Sequence, residues 1–283
     1  MSYQIINQSW IKRVYKKRDN WSHKGDFGKI LVFGGSLEYT GAPATVALAA
    51  VRAGADVAKI FAPKRAADIA ASFSPEIIAI PFEKEYFDSD AFYAARKLSS
   101  WANVIEIGNG MGTGSNQGDF VNMVLKDIKK RLVVDADGVK LMNRNLLGSE
   151  ILITPNTYEF NVLFGTNLST NVDERAKTVK EKAKEYGTNI LLKGHVDVIS
   201  DGDQIFLNKV NSVYMTKGGT GDSLSGICAG LIGQGAKIID AACAGAFING
   251  YTGKYLARLK RESLSSLDII DNIYSTITKW RYQ

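Results

Sequence analysis

Short, β-branched apolar runs alternate with stretches of helical spacing along this 283-residue chain. The runs predict strands at 29–35, 57–63, 77–82, 104–108, 132–136, 151–155 and 190–194. They are continuous rather than alternating, as strands covered on both faces are. Between them the apolar positions follow a helix; in 116–130, Phe120, Val121, Val124, Leu125 and Ile128 mark one face. This rhythm predicts an α/β fold: a central, mostly parallel sheet flanked by helices on both faces. One segment departs from it. Residues 196–208 read as two strands around Asp201-Gly202-Asp203, a hairpin signal, so an antiparallel edge is expected. After it the pattern is helical over about 222–233, 237–260 and 266–282. No linker or internal repeat interrupts the chain, which implies one domain over 1–283, with 1–21 as an N-terminal extension.

Composition narrows the class. No run approaches the roughly 18 apolar residues of a membrane helix. The N-terminus is charged without an apolar centre, unlike a secretory signal, so a soluble cytoplasmic protein is expected. Cys228 and Cys243 are too few for a disulfide framework and sit in apolar helical text, as buried free thiols do. The net charge is +6, with basic clusters at 12–18, 126–131 and 258–261. None has the interleaved aromatics of a nucleic-acid platform. A mild positive field suits a small polyanion instead.

Candidate chemistry gathers at Gly218-Gly219-Thr220-Gly221-Asp222, which opens a helix of small residues. Glycines let a backbone approach a ligand closely. The first amides of a helix lack intrahelical acceptors, and with the helix dipole they attract anions. A phosphate site and a plain loop with Asp222 as N-cap both fit this local pattern. There is no P-loop and no Rossmann spacing. The turn at 108–114, GNGMGTG, follows a strand at the end where open α/β sheets bind ligands; a purely structural turn is the other reading.

A Gly-Thr-Gly-Asp turn opening a late helix resembles the ribokinase superfamily. Three further stretches are similar to the ADP- or ATP-dependent NAD(P)H-hydrate dehydratases: residues 22–60 over their whole length, IGNGMG at 107–112, and LLKGHVDVISDGD at 191–203. At 107–112 the family carries Gly-Pro-Gly-Leu-Gly, and Asn109 takes the proline position. The resemblance implies a ribokinase-like fold, a homo-oligomer, and a lyase that uses ADP or ATP to phosphorylate the hydroxyl of hydrated NADH or NADPH and then eliminates phosphate. It implies Asp222 as base, with Gly219 and Gly221 holding the phosphoryl group. The nucleotide would meet Lys193, Gly194, His195, Val196, Asp197, Thr220 and Gly221. The hydrate would meet Gly41, Ala42, Gly110, Gly112, Asn156 and Asp222. Glu159 would order Mg²⁺ through water. One departure favours a rival. TPNTYEF at 154–160 replaces the family's Thr-Pro-His-Pro-Gly-Glu, and Asn156-x-x-Glu159 resembles sugar and vitamin kinases of the superfamily. A small-molecule kinase is therefore the alternative, and a nucleotide-sensing module a third. His23 and His195 read as structural or lining groups, with no metal role.

Overall fold

Ten strands form one sheet in the computed structural model, which describes residues 2–281. They are β1 Gln4–Ile5, β2 Lys29–Phe33, β3 Val57–Pro63, β4 Ile77–Phe82, β5 Val104–Ile107, β6 Arg131–Val134, β7 Ile151–Ile153, β8 Asn189–Leu192, β9 Asp197–Ser200 and β10 Ile205–Asn208. Their order is β1-β10-β9-β8-β7-β6-β5-β2-β3-β4. All pairs are parallel except β8–β9 and β9–β10. The helices are α1 Ser9–Val14, α2 Ala42–Arg52, α3 Lys64–Phe73, α4 Ser89–Ser99, α5 Ser115–Asp127, α6 Ala136–Leu141, α7 Thr157–Phe164, α8 Val172–Tyr186, α9 Thr220–Gly233, α10 Ile238–Lys260 and α11 Ser266–Arg281.

The two faces of the sheet build two apolar clusters. Ile30, Val32, Val104 and Val133 point toward α2, α9 and α10, while Leu31, Phe33, Ile105 and Leu132 point toward α5 and α8. Burial on both faces is why the strands read as continuous apolar runs. Both cysteines are buried and free.

One expectation is corrected. The 196–208 hairpin forms, but it is not the edge: β1 pairs outside β10. Within residues 1–21, Trp10, Ile11 and Val14 of α1 lie in the core, with the Trp10 ring 5.1 Å from that of Phe206. A two-residue strand and a six-residue helix are too short to show a period in polar text. The final predicted helix closes at Arg281, and residue 282 lies outside the described residues.

Several predicted strands stop short. Gly34-Gly35, Gly108, Asp135, Thr154-Pro155 and Lys193-Gly194 leave the sheet at the C-terminal ends of β2, β5, β6, β7 and β8. In a parallel sheet these ends share one rim, where ligands bind. Helices α2 and α9 start at this rim and run away from it in parallel, packed backbone to backbone. A Cβ on Gly226 would sit 2.3 Å from the Val46 carbonyl oxygen, and one on Gly230 2.6 Å from that of Ala50. The small residues of α9 permit this approach, and it sets both helix N-termini side by side.

Candidate active site

The helix α9 begins at Thr220, two residues earlier than its pattern suggested. Gly219 is the N-cap, with φ 87°, a conformation open to glycine at little cost. No side chain caps this helix. Asp222 therefore lies within the first turn and is not the cap, which removes the plain structural reading of that residue. The Ser223 amide makes the first intrahelical bond, to the Gly219 carbonyl at 2.9 Å, and the Thr220 amide donates to the Lys217 carbonyl at 3.4 Å, which leaves the Gly221 and Asp222 amides without an intrahelical acceptor and able to meet an anion.

Asp222 turns inward instead. Its Oδ1 accepts from Asn109 Nδ2 at 2.6 Å. The same nitrogen donates to Asp135 Oδ2 at 3.1 Å. The other oxygen of Asp135 accepts from Lys193 Nζ at 2.6 Å. Lys193 also lies 3.7 Å from Glu159 Oε2. Five segments thus converge in one polar chain: Glu159 of α7, Lys193 after β8, Asp135 after β6, Asn109 after β5 and Asp222 of α9. Gly108 makes the approach possible. At φ 129°, a Cβ there would lie 2.0 Å from the Asp135 carbonyl oxygen.

Carboxylates outnumber cations here, and the electrostatics follow. Burial, then repulsion from Asp135, pushes the Asp222 carboxyl up to about 6, against the Asn109 hydrogen bond and Lys193. Burial likewise raises Glu159, with Lys193 opposing. Burial alone would weaken the Lys193 charge, but Asp135 and Glu159 outweigh it and hold the ammonium above its usual range. Deeper still is Glu106 of β5, flanked by Val32 and Val133 in the sheet. It is fully buried, and burial drives its carboxyl far upward, with repulsion from Asp135 and Asp222 adding to this and Ser225 opposing it.

Beside this chain opens a cavity of about 680 Å³. Of the residues expected at the nucleotide, Lys193, Gly194, His195, Asp197, Thr220 and Gly221 line it. Val196 does not; it packs against the apolar cluster on the other side of the loop. Asp197 is mostly covered, accepting from Gly194 N at 3.0 Å, Asn208 Nδ2 at 2.9 Å and Asn211 Nδ2 at 3.0 Å. It pins the loop rather than offering a free carboxylate. A Cβ on Gly221 would stand 3.2 Å from Lys193 Nζ, so its bare Cα faces the charge chain.

The residues expected at the hydrate divide. Gly41 and Ala42 open α2, and a Cβ on Gly110 would stand 3.1 Å from that of Ala42. Gly112 donates its amide to Asp137 Oδ2 at 2.9 Å. Thr45 of α2 approaches Gly219, which ties this group to the glycine turn. Asn156 is apart from them, on the cavity wall beside Lys193 and Gly194. Its Oδ1 accepts from Glu159 N at 2.9 Å, while Glu159 Oε2 accepts from Asn156 N at 2.8 Å. The Asn-x-x-Glu spacing that suggested a kinase is thus a capping box on α7. His23 lies away from the site on an exposed turn. Among the described residues, no three carboxylate, His or Cys side chains converge to hold a metal ion directly.

Sequence reasoning missed Asp135 and the role of Asn109. Asp135 closes a predicted strand at the ligand-binding end, which was a usable signal; Asn109 was noted only as a replaced proline.

Comparisons with known proteins agree with the earlier resemblance. Residues 30–275 match the family model for NAD(P)H-hydrate dehydratase. The ADP-dependent (S)-NAD(P)H-hydrate dehydratase of Nitrosopumilus maritimus is 36% identical over 99% of this chain and 98% of its own length. The bifunctional NAD(P)H-hydrate repair enzyme Nnr of Pyrobaculum aerophilum is 37% identical over 93% of this chain. The chain spans about half the length of such bifunctional relatives, 53% in that case. The ADP/ATP-dependent NAD(P)H-hydrate dehydratase of Bacillus subtilis, co-crystallised with ATP/Mg²⁺, superposes with a TM-score of 0.83 at 23% identity over 99% of both chains. The fold is the ribokinase-like one expected.

Proposed function

We propose a cofactor-repair activity for this chain, which belongs to the NAD(P)H-hydrate dehydratase family: nucleotide-dependent dehydration of hydrated NADH or NADPH. The observation that carries the reading is Asp222, a buried carboxyl pushed up to about 6, in the first turn of α9 next to Gly221, which lines the cavity together with Lys193. Substrate hydroxyl would attack the terminal phosphorus of ADP or ATP. The new O–P bond forms as the bridging P–O bond breaks, so ADP leaves as AMP, and the hydroxyl proton passes to Asp222. Phosphate then departs with the C–O electron pair, the adjacent carbon loses a proton, and the ring double bond returns. A phosphate leaves far more readily than a hydroxide.

The helix amides and Lys193 favour the charge that gathers on the transferring group. General-base assistance by Asp222 contributes about 10²–10⁴-fold. Mg²⁺, when bound with the nucleotide, neutralises phosphate charge. Glu159, 3.7 Å from Lys193, would hold such an ion through water. Gly41, Ala42, Gly110 and Gly112 would face the hydrate.

Incubation with ADP and prepared NADPH hydrate tests this. Recovery of reduced-nicotinamide absorbance with AMP and phosphate released is the expected result. A phosphorylated product that persists would mean a kinase, and nucleotide binding without turnover a sensor.

A further inference from the structure

We infer that Asn109 is a positioning residue for Asp222, holding that carboxylate by an amide nitrogen it shares with Asp135. The inference rests on the proposed role of Asp222 as base. Asn109 is fully buried, and its Nδ2 donates to both carboxylates. The amide can face only one way, because turned over it would set its carbonyl oxygen against two carboxylates. That orientation leaves Oδ1 buried without a partner among the described residues. A buried orphan acceptor is costly to the fold. An apolar side chain would fill the turn without that cost, as the family's proline does. What asparagine adds is the donor, so its contribution is local to Asp222.

The donor matters because negative charge surrounds it. Glu106 of β5, Asp135 after β6 and Glu159 of α7 face this centre, with Lys193 after β8 the cation among them, while Asp137 and Lys140 of α6 pair with each other. Asn109 favours the ionised form of Asp222, and Asp135 opposes it. Removing each should therefore displace the titration of Asp222 in opposite directions. A residue that merely fills space would lower the rate equally at every pH.

The test follows the acid limb of kcat/KM for ADP-driven dehydration, beside the titration of the ¹³C-labelled Asp222 carboxyl by NMR, which needs no turnover. Asn109→Ala and the near-isosteric Asn109→Asp should both move the midpoint upward by about one pH unit, about tenfold in rate on that limb. Asp135→Asn should move it downward, and covers the case in which the Asn109 variants do not fold. A midpoint unmoved in folded Asn109 variants, with the rate reduced equally at all pH, would overturn the inference, as would an upward shift in Asp135→Asn. A parent enzyme that binds ADP but turns over no hydrate, while its NMR midpoint still shifts with Asn109, would instead overturn the proposed function and leave the positioning role standing.

Discussion

Lys193 Nζ lies 2.6 Å from Asp135 Oδ1, and this contact joins the loop after β8 to the loop after β6 at the floor of the cavity. The Asp135 side chain is 1% exposed and that of Lys193 19%, so solvent screens the pair weakly. Both partners touch the same centre from opposite sides, one through Asn109 and one through Glu159.

A buried charge is costly once its partner is removed. Lys193→Met alone should destabilise the protein by about 3–5 kcal/mol, because Asp135 and Glu159 lose their cation. Lys193→Met combined with Asp135→Leu should recover a large part of that loss while remaining inactive. Chemical denaturation of both single variants and the double variant reads the difference. Simple additivity would mean that the two residues do not act as a pair.

The capping box on α7 assigns Asn156 a structural task. Asn156→Asp keeps an acceptor for the Glu159 amide and should melt within a degree or two of the parent. Asn156→Ala, which loses it, should cost about 0.5–2 kcal/mol. Because Asn156 shares the cavity wall with Lys193 and Gly194, Asn156→His is expected to alter ADP affinity at least as much as hydrate affinity. Isothermal titration with each ligand separates the two effects.

Much of this was legible in the sequence because the dominant signals are local. Buried parallel strands announce themselves as apolar runs, and Gly-Thr-Gly-Asp marks a helix start whose amides face outward. What escaped is non-local. Asn109 and Asp135 are 26 residues apart and meet because β5 and β6 are neighbours. No spacing rule encodes that. The strands predicted too long erred at the C-terminal rim, where Gly34-Gly35, Gly108, Asp135, Thr154-Pro155 and Lys193-Gly194 follow the last ladder bond.

Glu106 gives a pH signature for stability. Its folded carboxyl is raised well above the usual value. The folded protein thus holds a proton that the unfolded chain releases above about pH 4.3. Its contribution to stability is therefore full below that pH and is lost progressively as pH rises. Glu106→Gln removes the titration. It should raise the melting temperature more at pH 8 than at pH 5, by about 3 °C or more, since each pH unit of displaced titration is worth about 1.4 kcal/mol. Equal effects at the two pH values would mean that Glu106 is not held protonated.

The central claim is that Asp222 accepts the substrate proton, and Asp222→Asn tests it most directly. Asparagine keeps the size and an oxygen for Asn109 but has no basicity. The parent should lose activity as pH falls through about 6, where the carboxyl becomes protonated. At pH 7.5 the variant should fold, melt near the parent, bind ADP as tightly or more so, and lose about 10²–10⁴-fold in kcat. The decisive measurement is kcat of Asp222→Asn for ADP-driven hydrate turnover beside its ADP affinity. Lost turnover with intact nucleotide binding is the predicted result. A folded variant with the parent's kcat would contradict the mechanism.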